Sequence, residues 1–116
     1  MTRSLLTLMM LVATSPAWAH AFLERANPPV GSDVSPAPPQ LVLTFSEGVE
    51  PAFSSIELHN AAGAAVAIGK PESMAGDKRR LGVTLPALPH GSYTVIWHAT
   101  SVDTHKTEGS FKFTVK

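Results

Sequence analysis

The residues of this chain best equipped for chemistry are its histidines and one aspartate. Asp103 and His105 stand at i and i+2 in Ser101-Val102-Asp103-Thr104-His105. In extended backbone, side chains at that spacing leave the same face. One hard oxygen and one imidazole nitrogen are then offered to the same ion. The plain alternative is that Asp103 caps a turn and His105 is merely exposed, and so short a motif often arises by chance. The other histidines have weaker company. His59 ends a strand pattern beside Asn60, and His90 occupies the turn Pro89-His90-Gly91; both are expected to face solvent. His98 follows Trp97, so it points away from the face shared by Trp97 and Tyr93, either lining a site or sitting on the surface.

His20 shifts the balance, because the N-terminal segment reads as an export signal. Arg3 and the free amine give a short positive region, residues 5–13 are mostly apolar, and Pro16 precedes Ala17-Trp18-Ala19. Small residues at −3 and −1 place the cut after Ala19, although Ser15 with Ala17, or Ala19 with Ala21, also satisfy the rule. The apolar run is too short for a permanent membrane span. Cleavage after Ala19 makes His20 the first residue of the mature protein. Its α-amine and ring Nδ1 can then close a six-membered chelate on one metal. With one imidazole and one carboxylate added, the set is three nitrogens and an oxygen. Tetragonal N,O sets suit Cu(II), which also heads the divalent affinity order ahead of zinc. The plain reading of His20 is a frayed terminus.

Composition narrows the chemistry further. Removing 19 of 116 residues leaves 97, enough for one domain with a single core, over residues 20–116. Arg3 is the only charged side chain removed, so 8 basic and 9 acidic groups remain, a formal net of −1. No basic field exists to attract nucleic acid or an anionic membrane. There is no cysteine, which excludes thiolate catalysis, Cys-ligated zinc and the blue-copper site. Met74 is the only methionine after the signal segment, so a Met-rich Cu(I) site is not available.

The elements that must position these residues are short. Pro and Gly recur too closely for helices of ordinary length. Strands fit instead: around residues 22–25, over 41–45 with Leu41, Leu43 and Phe45 on one face, over 55–59, weakly over 64–68, over 81–85, around Tyr93, Val95 and Trp97, and around Phe111, Phe113 and Val115. Period-2 alternation with one apolar face means half-buried antiparallel strands. About seven of them with turns between read as an all-β Greek-key sandwich. Residues 70–80 are polar and read as one exposed loop.

Several pieces follow one another along the chain: His20-Ala21-Phe22-Leu23, Ala26-Asn27-Pro28-Pro29-Val30-Gly31-Ser32, Ala37-Pro38, and Leu43-Thr44-Phe45-Ser46-Glu47. The last stretch runs from Gly91-Ser92-Tyr93-Thr94-Val95-Ile96-Trp97 through Ser101-Val102-Asp103-Thr104-His105 to Gly109-Ser110-Phe111-Lys112-Phe113. Each piece alone is weak, but in their order and spacing over residues 20–116 they resemble the CopC family of periplasmic copper-resistance proteins. The resemblance implies an Ig-like or cupredoxin-like sandwich holding one Cu(II) per chain through His20, Asp103 and His105. It points to Glu47 as a weak ligand or a neighbour of the ligands, against the plain reading of a solvated charge. Some members carry a Met-rich loop; the single Met74 here argues against a second, Cu(I) site.

The expected function is therefore a periplasmic, monomeric Cu(II) binder, not an enzyme. It would buffer copper or deliver it to an inner-membrane copper transporter or another periplasmic copper protein. Its ligands must shed protons to bind, so copper should leave on acidification through about pH 6 to 4. Two other classes compete. A copper oxygenase also uses an N-terminal histidine chelate, but needs an open position and a broad substrate face that a short chain with Asp103 in the site does not provide. A metal-free adhesion sandwich would need an exposed apolar patch.

Overall fold

From Leu41 onward, apolar side chains recur at every second position, the pattern of strands with one buried face. A computed structural model of the protein describes residues 21–116. The export signal expected over residues 1–19, the cut after Ala19, and His20 itself lie outside the described residues. Nine strands form among the described residues: β1 (Leu23–Asn27), β2 (Asp33–Val34), β3 (Gln40–Phe45), β4 (Ser55–Asn60), β5 (Ala65–Val66), β6 (Glu72–Met74), β7 (Asp77–Thr84), β8 (Gly91–Thr100) and β9 (Lys106–Val115), with one 3-10 turn at Pro51–Phe53. They make two sheets, β1-β3-β7-β6 and β2-β9-β8-β4-β5. Hairpins β4–β5, β6–β7 and β8–β9 each stay within one sheet, and the connections between them cross to the other, Greek-key fashion.

The core lies between the sheets. Leu41, Leu43 and Phe45 of β3 and Leu81 and Val83 of β7 face Ile56 and Leu58 of β4, alternate residues of β8, and Phe111, Phe113 and Val115 of β9. Phe45 meets Trp97 edge to face at 5.2 Å between centroids, and Tyr93 stacks on Phe113 at 5.6 Å. Both are favourable aromatic geometries. Gly109 lies directly opposite Trp97 in the β8–β9 ladder. A Cβ there would stand 2.6 Å from the indole, so only glycine lets the ring lie across that strand.

The all-β sandwich expected from the alternation is present, with two differences. The strand count is nine rather than seven, because β2 and β6 were too short to show a period. Residues 70–80 are not one exposed loop: β6 and the first half of β7 form a hairpin there. Their polarity arises because this ribbon sits at a sheet edge with an outward face in solvent. Its two-residue turn has Ala75 at φ 53° and Gly76 at φ 70°, the left-handed pair that matches strand twist in a tight hairpin. No helix among the described residues is long and apolar enough to cross a membrane.

Candidate metal centre

The Asp-x-His segment lies in the loop that closes the longest hairpin. β8 ends and β9 begins at the paired residues Thr100 and Lys106, leaving residues 101–105 between them. The loop is held by its own backbone. Ser101 N donates to His105 O at 2.8 Å, and Thr104 N donates to Ser101 O at 2.9 Å. Thr104 takes φ 74°, the left-handed region that branched side chains seldom adopt. The neighbouring segment grips the loop from outside. Val49 bridges Ser101, Val102 N donates to Gly48 O at 3.0 Å, and Glu50 N donates to Thr100 O at 2.8 Å.

Within this frame Asp103 and His105 converge. His105 Nδ1 and Asp103 Oδ2 are 3.2 Å apart, with side chains 44% and 39% exposed. The convergence expected from extended backbone does occur, but by a different route. The residues occupy a turn, and the left-handed step at Thr104 brings the two side chains together. Two donors each about 2.0–2.2 Å from one metal, at right angles, lie about 3 Å apart. The two groups hydrogen-bond to each other at that distance, which is also the spacing of neighbouring ligands on a single ion, and both are open to solvent.

Ser101 fixes this geometry. It is 1% exposed. Its hydroxyl donates to Asp103 Oδ1 and accepts from His105 N at 3.2 Å. One buried oxygen thus ties the carboxylate to the backbone of the histidine. The Ser101 hydrogen bond is the main cause that holds the Asp103 carboxyl below its ordinary value. Slight desolvation opposes it, and the adjacent His105 adds to the lowering. Asp103 is therefore kept as a carboxylate, the form that binds metal.

One further bond leads to the N-terminal side. Thr107, two residues past His105, donates its hydroxyl to Ala21 O at 2.8 Å, and Ala21 is fully buried. Phe22 N donates to Ser46 Oγ at 2.9 Å. The start of the described chain is thus anchored beside the loop. Neither Ser101 nor Thr107 stood out in the sequence as a functional residue. The signal for Ser101 was its place two residues before Asp103, a spacing at which serine hydroxyls often organise turns.

The remaining candidates lie apart. Glu47 is exposed, one residue from the Gly48 carbonyl that holds Val102. Among the described residues, no three His, Asp or Glu side chains are gathered as a metal site. His98 points away from the core, as its alternation with Trp97 required. It lies 3.0 Å from Glu108 and 3.5 Å from Ser55 Oγ. His59 contacts Glu57 and the Gly63 carbonyl. His90 is exposed in its turn.

Comparison with known proteins agrees with this architecture. "Protein YobA" of Escherichia coli K12 is 38% identical over 106 residues, covering 90% of this chain and 86% of that protein. The crystal structure of CopC from Methylosinus trichosporium OB3b superposes with a TM-score of 0.79 at 37% identity, over 84% of this chain and 94% of that one. The structure of PcoC, a methionine-rich copper resistance protein from E. coli, gives 0.75 at 34% identity, over 84% and 100%. The CopC domain model matches residues 23–116, nearly all of the sandwich including the Ser101–His105 loop, and the chain belongs to the CopC family.

Proposed function

We propose that this protein is an exported copper-resistance protein that carries Cu(II) as cargo, one ion per chain, in the periplasm. The observation that carries the reading is the Asp103–His105 pair, oriented by Ser101 at the end of the sandwich where Thr107 anchors Ala21. A third and a fourth donor would come from His20, the residue bonded to Ala21: its α-amine and its ring. Three nitrogens and one carboxylate oxygen form the tetragonal set that Cu(II) favours. Glu47 would approach the ion at most as a weak ligand. With Met74 the one methionine after residue 19, the soft thioether cluster that selects Cu(I) is missing. The role is storage and delivery, to a membrane copper transporter or another periplasmic copper protein, and not catalysis.

The test uses two chains, one beginning at His20 and one carrying a single extra residue before it. Cu(II) is titrated into each and followed by electron paramagnetic resonance. One-to-one binding that weakens strongly when the His20 amine is blocked supports the chelate. Equal binding by both chains removes the amine from the site. Copper-dependent oxygen consumption with ascorbate would overturn the carrier role in favour of an oxygenase.

A further inference from the structure

The outer face of the β1-β3-β7-β6 sheet carries a second constellation, independent of the copper reading. In the strand register Arg25 stands opposite Thr44, and Thr44 stands opposite Arg80. The three residues form one cross-strand row on the face that points away from the core, since Leu43 and Phe45 on either side of Thr44 point inward. Adjacent strands are about 4.8 Å apart, so the two arginine backbones flank Thr44 at about 10 Å from one another. The next outward row holds Asn27 and Val42. Together with Arg79 these residues line an open concavity of about 450 Å³.

The polar groups in it are nearly all donors. Neither Arg25 nor Arg80 forms an ion pair among the described residues. Asp77, the one acid on the rim, is turned to Arg79. Its Oδ1 accepts from Arg79 N at 3.0 Å and lies 3.7 Å from Arg79 Nε. Thr44 is 7% exposed, and its hydroxyl has no hydrogen-bond partner among the described residues. Leaving a buried hydroxyl unpaired is costly, so it is out of place on a sheet face unless something accepts its proton. Two unpaired guanidiniums, a carboxamide and an unpaired hydroxyl converge on a space with a net positive charge. We propose that this concavity is an oxyanion-binding site of the phosphate class. Arg25 and Arg80 clasp the anion from two sides through their forked donors, and Thr44 donates to it from the floor.

Phosphate in this class can come from a free ion or from a lipid headgroup, and one experiment separates them. Inorganic phosphate is titrated into the protein, and the Nε–H signals of Arg25 and Arg80 are followed by nuclear magnetic resonance. Sodium chloride at equal ionic strength is the control. Retention on phosphatidylcholine vesicles containing phosphatidylglycerol is measured in parallel. The expected result is saturable one-to-one binding of phosphate. Either Arg25→Gln or Arg80→Gln should weaken it about tenfold or more, as loss of a charge-assisted bond requires. Thr44→Val, which keeps the shape and removes the donor, should weaken it several-fold. Vesicles that retain the wild type but not the double arginine variant would identify the source as a headgroup. Saturation by free phosphate without retention would identify a soluble ion. Shifts no different from those in sodium chloride, together with no retention, overturn the proposal. So does a double variant that responds like the wild type. Cu(II) binding by the double variant should be unchanged, which shows that the fold is intact.

Discussion

At the residue scale, the site depends on a side chain that carries no metal-binding chemistry. Ser101 has one proton, which it gives to Asp103, and a lone pair that takes the His105 amide. Ser101→Ala removes the buried hydroxyl that both groups share and leaves the carboxylate to His105 alone. We expect a loss of about 1 kcal/mol in unfolding free energy, the net worth of the bond between that hydroxyl and the His105 backbone. The Asp103 carboxyl should titrate closer to the ordinary range, as measured by carbon NMR of its side chain. The sign follows from linkage. A carboxyl whose folded pKa is depressed contributes stability above its unfolded value, and that contribution is lost as pH falls through the folded pKa. The gap between wild type and Ser101→Ala should thus be widest above about pH 4 and narrow below it. Thr104 is the strained member of the loop, a branched residue at φ 74°. Thr104→Gly removes steric cost at the expense of unfolded-state entropy, and thermal unfolding should show a net gain of about 1 kcal/mol. The approach of Asp103 and His105 was legible in the sequence because their types and spacing suit two donors aimed at one place, and the structure brings them within 3.2 Å. Ser101 and Thr107 were not legible there. Their roles arise from burial and from a loop conformation that no period encodes.

At the element scale, the strands that were legible are those with one face fully in the core. Leu41, Leu43 and Phe45 alternate with Val42 and Thr44, and the inward three are completely buried. β6 and the start of β7 escaped notice because Glu72, Ser73, Asp77, Lys78 and Arg79 bury little, and without an apolar face the alternation has no contrast. β2 has two residues and pairs with β9 in parallel, a contact no local pattern announces. Two substitutions test the hairpins that were hardest to read. Ala75→Asn places Asn-Gly in a turn whose first central residue already has φ 53°. Asparagine tolerates that region better than alanine, so chemical denaturation should show a gain of about 0.5–1 kcal/mol. Gly109→Ala acts in the opposite direction. Its methyl would meet Trp97 ring atoms at 2.6 and 2.8 Å, and a buried indole cannot swing aside without disturbing Phe45. Overpacking of this kind costs about 1–3 kcal/mol, and Trp97 near-ultraviolet dichroism should change with it.

For the whole molecule, two segments far apart in the sequence meet at one end of the sandwich. The loop between β8 and β9 belongs to the last hairpin, while Ala21 belongs to the first residues described, and Thr107 joins them across 86 positions. A ligand shared by His20 and the loop would therefore close the fold as well as fill a site. Anything that binds the folded state alone stabilises it by RT ln(1 + [L]/Kd), about 2.7 kcal/mol at a hundredfold excess of free ligand over Kd. In a domain of this size 1 kcal/mol moves the unfolding midpoint by about 4–8 °C. Cu(II) at that excess should thus raise the midpoint of the chain beginning at His20 by about 10–20 °C. The chain with one residue added before His20 should gain much less at the same copper concentration, because only the Asp103–His105 pair and a ring remain to bind. The lowered pKa of Asp103 sets the order of acid release. Its carboxylate stays available on mild acidification, so the copper-dependent part of the midpoint should fall as protons compete with Cu(II) for the donor set and not through early loss of Asp103. Calorimetric scans with and without Cu(II), at steps from pH 7 to pH 4, measure that part directly. A rise that is equal in the two chains would remove His20 from the site and leave the loop to bind alone, and a rise that persists undiminished to the acid end would overturn the nitrogen-rich donor set as a whole, His105 included.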